Sequence, residues 1–462
     1  MPLAENAVYF FHFVALCLVW PYLPLFLSRY VSEAELGLLL GATRLVGVCA
    51  SPAWAWLADA KCGRGPIFAL SWLCWQLLTP LVLVAARTPF LALVLLARSV
   101  FEAPLIPFVD AGVVARASFG AARLYGSLSW GLTAPVAGYV YATYGFAPCV
   151  AAAALFACGA AVFALDVVPA AKKPYDRVQR PSVTTRVLNP FSIDSDDGGG
   201  PPAADSVYDV NPFEIGGLES DDEEEKAEPS HENKINPFEI GGDSDDDEAR
   251  TAQVEGDLMA FLAASASVGS GFGFVMSFLF VFIVHGLGGA ATLCGLALFV
   301  ECAVEVPVMR AADGLLARHG SKTLVVVVLL LYAARCAGYA LLTYFPGRPW
   351  LVLLVEPLHG ITFALFYTAG VVGAKARMPS DRETLAQGLF SAAFNGGAGV
   401  GAALGGLGVR RIGYRNTFLV FTAGFVVATV AAFLHLVDDR PPEDERRWQR
   451  PRDEFEEEGD LV

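Results

Sequence analysis

Charge is scarce in this chain. Asp, Glu, Lys and Arg make up 17% of its 462 residues against 55% hydrophobic, and mean hydropathy is +0.50. Soluble domains carry about a quarter charged residues, so a water-soluble globule of this length is excluded. The nine cysteines include no CxxC pair, and most sit inside apolar runs (Cys17, Cys49, Cys74, Cys158, Cys294, Cys302, Cys336). They read as small apolar helix residues, with no disulfide framework or zinc site indicated. The GxxxxGK[ST] phosphate loop is missing, as are HExxH and GxSxG. ATP drive and the corresponding hydrolase chemistries are therefore not expected. We expect no enzyme activity, cofactor, metal or nucleic-acid partner.

Long apolar stretches, by contrast, dominate. A span needs roughly 20 apolar residues, because the hydrocarbon core is about 30 Å thick and a helix rises about 1.5 Å per residue. Such stretches lie near 6–28, 35–58, 66–86, 90–113, 124–143 and 147–167, then near 257–284, 290–312, 323–344, 350–374, 385–408 and 416–437. Lipid-exposed backbone must satisfy its own hydrogen bonds, so each is read as a helix. The expected fold is all-α and polytopic, twelve transmembrane helices as two six-helix bundles. The first bundle is placed at 1–167, an acidic cytoplasmic linker at 168–256, the second bundle at 257–437 and a charged tail at 438–462. The first span is too long for a signal peptide, carries Pro21 and Pro24, and lacks a basic leader.

Orientation follows from Lys and Arg near the span ends. With the N-terminus in the cytoplasm, twenty lie on that side, among them Lys61, Arg64, Arg123, Arg310, Arg318, Lys322 and Lys375. Six lie outside: Arg29, Arg87, Arg348, Arg410, Arg411 and Arg415. The last three are a local exception. The bias places both termini and the linker in the cytoplasm of a plasma or internal membrane.

The net charge of −15 comes from the linker. Residues 192–256 hold 21 Asp+Glu against 3 Lys+Arg, a balance of −18, so the remainder is +3. Acidic runs such as Ser220-Asp-Asp-Glu-Glu-Glu225 cannot bury a core, and disorder is expected. Asn211-Pro212-Phe213-Glu-Ile-Gly-Gly217 recurs as Asn236-Pro237-Phe238-Glu-Ile-Gly-Gly242, preceded by Asn189-Pro-Phe-Ser-Ile193. The NPF tripeptide resembles the ligand of endocytic EH domains, which implies an adaptor partner. A tolerated linker with a duplicated block is the other reading.

Charges inside spans cost a few kcal/mol each and need a partner, water or a function. Arg98 and Glu102 are i,i+4 on the fourth span, ahead of Pro104 and Pro107. They are either a self-neutralised pair at a kink or a gating pair. Asp110, farther along, is expected to meet Arg116 or Arg123. Glu301 and Glu305 are i,i+4 on the eighth span, and Arg335 on the ninth can neutralise one of them. The other is a carboxyl poised for proton coupling. Glu356 and His359, i,i+3 on the tenth span, form a second titratable pair, unless His359 simply bonds a neighbouring helix. Arg44 stands alone in the second span, available to an anionic solute or to the acids of the fourth. The eleventh span is Gly-rich from Gly388 to Gly406, and Asn395 within it can hydrogen-bond across a helix interface.

The turns Leu57-Ala-Asp59-Ala-Lys-Cys-Gly-Arg64 and Asp313-Gly-Leu-Leu-Ala-Arg318-His-Gly-Ser-Lys322 occupy equivalent places in the two halves. With Asp110, their charges can form a cytoplasmic latch; ordinary positive-inside anchoring accounts for them equally. Both turns resemble the loop signature of the major facilitator superfamily, although Asp59 to Gly63 is one residue longer than its pattern. Trp20-Pro-Tyr-Leu-Pro-Leu-Phe26, Pro104-Leu-Ile-Pro-Phe-Val-Asp110, Tyr125-Gly-Ser-Leu-Ser-Trp-Gly131, Leu358-His-Gly-Ile-Thr-Phe363 and Ala386-Gln-Gly-Leu-Phe390 are similar to the branch of 3-phenylpropionate permease-like proteins and their eukaryotic relatives. The resemblance covers both bundles but not the linker. It implies secondary transport of a small organic solute by alternating access around a midplane site, as proton symport by a monomer. A non-transporting receptor or scaffold with a transporter fold is the main alternative, and a channel a weaker one.

Overall fold

A computed structural model describes residues 3–114, 119–168, 244–378 and 383–437. Side chains at 59–60, 114, 119–122, 244–255 and 383–384 lie outside the description, as do the NPF repeats and the C-terminal tail. The described residues are helical throughout, without a strand.

The first span is α1 (Leu3–Val19) continued by α2 (Leu23–Leu27), broken where Pro21 and Pro24 cannot donate to the helical ladder. α3 (Glu33–Leu57) starts at a capping box, in which Ser32 Oγ accepts from the Glu35 amide and the Glu35 carboxylate accepts from the Ser32 amide. α4 (Arg64–Ala85) is the third span. The fourth is split by Pro104 into α5 (Leu91–Glu102) and α6 (Leu105–Val114). α7 (Phe119–Tyr144) and α8 (Phe146–Val167) complete the first half.

α9 (Ser244–Val281) opens the second half. It begins inside the acidic insert. α10 (Ala291–Leu342) and α12 (Glu383–His435) run 52 and 53 residues. A straight helix of that length would reach about 80 Å, far beyond a bilayer. Each is two spans, reversed at Gly320 (φ 73°) and Gly413 (φ 77°), a backbone region that side-chain-bearing residues avoid. Between them α11 (Pro357–Ala376) follows a short 3₁₀ segment, Pro349–Leu354. Nine stretches are apolar and long enough to cross a membrane; the two doubled ones and α7 bring the spans among the described residues to twelve. The twelve-span, all-helical expectation holds, and the protein is a multi-pass membrane protein.

Large apolar side chains such as Leu77, Leu155, Leu165, Val427 and Leu434 are exposed around the perimeter, the surface a hydrocarbon solvent requires. In the first half α1 packs on α7 and α8, and α5 on α3 and α4; in the second, α10 packs on α11 and α12. Asp257, at the start of the seventh span, ties the second half together at the side holding the chain ends. Its carboxylate pairs with Arg377 Nε (2.9 Å) and accepts from the Val437 amide (2.8 Å), while Arg377 also donates to Ser321 Oγ (2.9 Å).

The halves meet along two lines, α3 with α12 and α7 with α10. Backbones touch on the side away from the chain ends. A β-carbon on Gly37 would stand 2.5 Å from the Ala402 carbonyl, and one on Gly41 2.5 Å from that of Gly399. Tyr22 Oη donates to the Ala134 carbonyl (3.1 Å) and its ring lies against Phe280 of the second half. This side is sealed.

Candidate functional site

Toward the chain-end side of that seam, a cavity of about 740 Å³ opens between the halves. Trp20, Leu40 and Arg44 lie at its deep end, and Ala55, Gln387 and Gly388 near its mouth. A smaller chamber of about 210 Å³ lies beside it, bounded by Arg123, Ser127, Trp130, Cys302, Glu305, His359 and Tyr367. Trp20 and Met276 border both spaces and partition them.

Arg98 and Glu102 line the large cavity and are joined at 2.9 Å, as their spacing predicts. Arg98 Nε donates to Thr79 Oγ1 (3.2 Å), and its guanidinium lies over Trp75 at 5.7 Å. Arg44 is within ion-pair distance of neither acid of the fourth span, although Glu102 is near enough to act on its charge. Its guanidinium lies over the rings of Trp20 (4.7 Å) and Phe272 (5.4 Å), with no ion pair to a carboxylate among the described residues. Asn395 is on the cavity wall, where its amide nitrogen donates within its own helix to Ser391 O and Oγ (3.0 and 3.3 Å).

Beneath the small chamber is a buried cluster. Arg335 Nη2 donates to Glu356 Oε2 (2.9 Å) and Glu301 Oε1 (3.2 Å), and Nη1 contacts His359 Nδ1 at 2.7 Å. Arg335 Nε donates to Tyr339 Oη (2.8 Å), which donates onward to Glu356 Oε1 (2.9 Å). His359 Nε2 is 3.9 Å from Glu301 Oε2. A guanidinium is donor-only, so His359 Nδ1 accepts and the ring is neutral, with its proton on Nε2 facing Glu301. Glu305, one turn from Glu301, points elsewhere: Ser127 Oγ of α7 donates to it (3.2 Å). One carboxylate therefore joins the Arg335 cluster and the other joins the chamber between the halves.

Asp110 pairs with Arg123 at 3.6 Å and accepts from Tyr9 Oη (2.5 Å), a contact within the first half. Asp313 and Arg318 are exposed on α10 ahead of Gly320. Arg64 opens α4, and the Asp59 side chain is outside the described residues. Tyr339, Trp20, Phe272 and Ser127 are site residues that the sequence reading did not single out. Tyr339 was within reach, being i,i+4 from Arg335, and Trp20 meets Arg44 from the neighbouring span; Phe272 and Ser127 meet their partners across helices far apart in sequence.

Twelve spans in two halves, a seam closed on one side and charged groups around a central cavity define a membrane protein of the major facilitator type. The chain belongs to the MFS_1 like family, whose model matches residues 4–420. It is 29% identical over 169 residues to a maltose permease of Geobacillus stearothermophilus, a match spanning 36% of this chain and 42% of that permease. In fold it is similar to the nucleoside transporter NupG (TM-score 0.65, 14% identity, 94% of this chain and 98% of that one). It also resembles a POT family transporter in complex with a thioalcohol-conjugated peptide (TM-score 0.62, 11% identity, 93% and 94%). A bacterial homolog of the human lysosomal transporter Spinster, in an inward-facing and unoccupied conformation, superposes with TM-score 0.55 at 13% identity over 94% of this chain and 96% of that one.

Proposed function

We propose that the chain is a secondary active transporter, moving a small organic solute by alternating access with proton symport, and that Glu301, Glu305, Glu356 and His359 carry the coupling. A cavity between the halves, closed on one side by a backbone seam and open on the other, is one end state of an alternating-access cycle. The chamber containing Glu305 and His359 adjoins that cavity across Trp20 and Met276.

The observation that carries the coupling is a charge count. Two carboxylates share one guanidinium nitrogen, beside a neutral imidazole, in full burial. With both acids ionised the cluster holds −1, and one proton brings it to neutrality, which burial in a low-dielectric medium favours. His359 borders the chamber on one side and Arg335 on the other, so it offers a route by which that proton exchanges with Glu305 and the cavity. Separation of the halves would break the Ser127–Glu305 bond and change the access of this acid to water.

The experiment is uptake into proteoliposomes with an imposed proton gradient, using a panel of aromatic acids, sugars and nucleosides. Glu301→Gln and Glu305→Gln keep volume and hydrogen bonding but cannot titrate. At least one should lose accumulation while keeping counterflow exchange. If both variants still concentrate solute in response to the gradient, this pair does not couple, and Glu356 with His359 becomes the test pair.

A further inference from the structure

Resting on the transport reading above, the charge pattern of the large cavity restricts the class of its occupant. Among the described residues, three charged side chains line it: Arg44, Arg98 and Glu102. Arg98 and Glu102 pair at 2.9 Å and Glu102 also acts on Arg44 through space, so the three together carry one net positive charge. A cation at membrane depth costs a few kcal/mol unless it is paired or hydrated. Here Arg44 is partly shielded, near the rings of Trp20 and Phe272, with no carboxylate at ion-pair distance among the described residues.

The manner of that shielding is informative. Ring contacts hold the guanidinium by its charge and use none of its five N–H donors. These donors make no hydrogen bond among the described residues and can meet a planar acceptor with two oxygens. The opposite wall, from the second half, is uncharged and polar: Ser277, Gln387, Ser391 and Asn395. The Asn395 amide nitrogen is engaged by Ser391, which leaves its carbonyl oxygen as an acceptor on the wall.

We infer that the transported solute is an organic monocarboxylate with a hydroxyl donor on its body, whose carboxylate docks on the in-plane edge of Arg44 and whose hydroxyl faces Asn395. A phosphate monoester offers the same oxygen geometry, but its charge of about −1.5 to −2 exceeds the single positive charge available. A neutral sugar or nucleoside would leave the net positive charge of the cavity uncompensated. The ligand would bridge the halves, Arg44 belonging to the first and Asn395 to the second, so its binding and their movement are linked.

The test is thermal stabilisation of the full chain in detergent, with a panel of hydroxy monocarboxylates, each paired with its primary amide; glucose, gluconate and glucose 6-phosphate form a matched charge series. At least one carboxylate should stabilise the protein and its amide should not, with gluconate ahead of glucose and of the phosphate ester. Arg44→Gln should melt like the wild type without ligand and bind that carboxylate roughly 10- to 100-fold more weakly, the loss expected for a bidentate charged contact. Arg44→Lys keeps the charge but not the edge and should fall between the two. A panel in which no carboxylate outperforms its amide, including one in which nothing binds, overturns the assignment, as does undiminished carboxylate binding by Arg44→Gln. Preference for the phosphate ester would replace carboxylate by phosphate and equally reject it. Because binding needs no gradient, a failure of proton coupling leaves this readout unchanged.

Discussion

Arg335 and Glu356 form an ion pair at 2.9 Å with both side chains wholly shielded from solvent, joining the ninth and tenth spans deep in the second half. The same nitrogen binds Glu301, so Arg335 serves two acids, and among the described residues each acid pairs with this cation alone. Loss of the cation and loss of one acid are therefore unequal. Arg335→Met leaves two uncompensated carboxylates, and breaking a buried pair in this way costs about 3–5 kcal/mol. Glu301→Gln leaves Arg335 with Glu356 and should cost less. Tyr339→Phe removes two bonds to charged groups, one from Arg335 Nε and one to Glu356 Oε1, each worth about 1.5–3 kcal/mol. Thermal unfolding in detergent should place Arg335→Met lowest, and an Arg335→Met protein that melts with the wild type would contradict the cluster.

The outline of this arrangement was legible in the sequence and its connections were not. Apolar run lengths gave the twelve spans, because bilayer thickness sets a minimum that composition alone reveals. Spacing along one helix gave the Arg98–Glu102 pair, as i,i+4 residues share a face in any helix. It also flagged Glu301 and Glu305 together, but their partners come from other helices, Arg335 for one and Ser127 for the other. A periodicity argument sees one helix at a time, so the division of labour between these acids was out of its reach. The aromatic bracket of Arg44 was hidden for the same reason: Trp20 and Phe272 are about 250 residues apart in sequence.

Orientation is open to direct measurement. The bias of twenty basic residues to six predicts that the central linker faces the cytoplasm and that the loop after the ninth span faces out. In a background without native cysteines, Ser220→Cys and Pro346→Cys should differ toward an impermeant maleimide applied to intact cells, with only position 346 labelled. The reverse pattern inverts the topology.

For the linker, 21 acidic against 3 basic residues and little apolar content predict that the bundle does not depend on it. Deletion of 190–250 should leave the melting temperature of the bundle and its transport unchanged. If the Asn211-Pro-Phe213 and Asn236-Pro-Phe238 repeats bind an endocytic adaptor, Phe213→Ala with Phe238→Ala should raise surface abundance at constant total protein. An unchanged surface fraction in cells that internalise other cargo normally removes the adaptor from consideration.

The seam between α3 and α12 yields the most direct test of the conformational cycle. Gly37 and Gly41 lie against carbonyl oxygens of the facing helix, and a β-carbon at either would stand 2.5 Å from one, well inside contact distance. Backbone cannot retreat as a flexible side chain can, so Gly37→Ala strains the state in which this side is closed and leaves the state in which it is open untouched. Overpacking of this kind costs about 1–3 kcal/mol. On a two-state equilibrium that is a change of roughly 5- to 150-fold in the ratio of closed to open. Spin labels at the exposed positions Glu35 and Arg410, at the ends of the facing helices, report the separation. The wild type should give a short distance between them, and Gly37→Ala a growing population of a longer one, with Gly41→Ala acting in the same direction. Gly314→Ala, where a β-carbon meets nothing within 4 Å, is the control and should leave the distribution alone. A short distance retained in both seam variants would mean that the halves do not part along this line, and that alternating access, if it occurs, uses another.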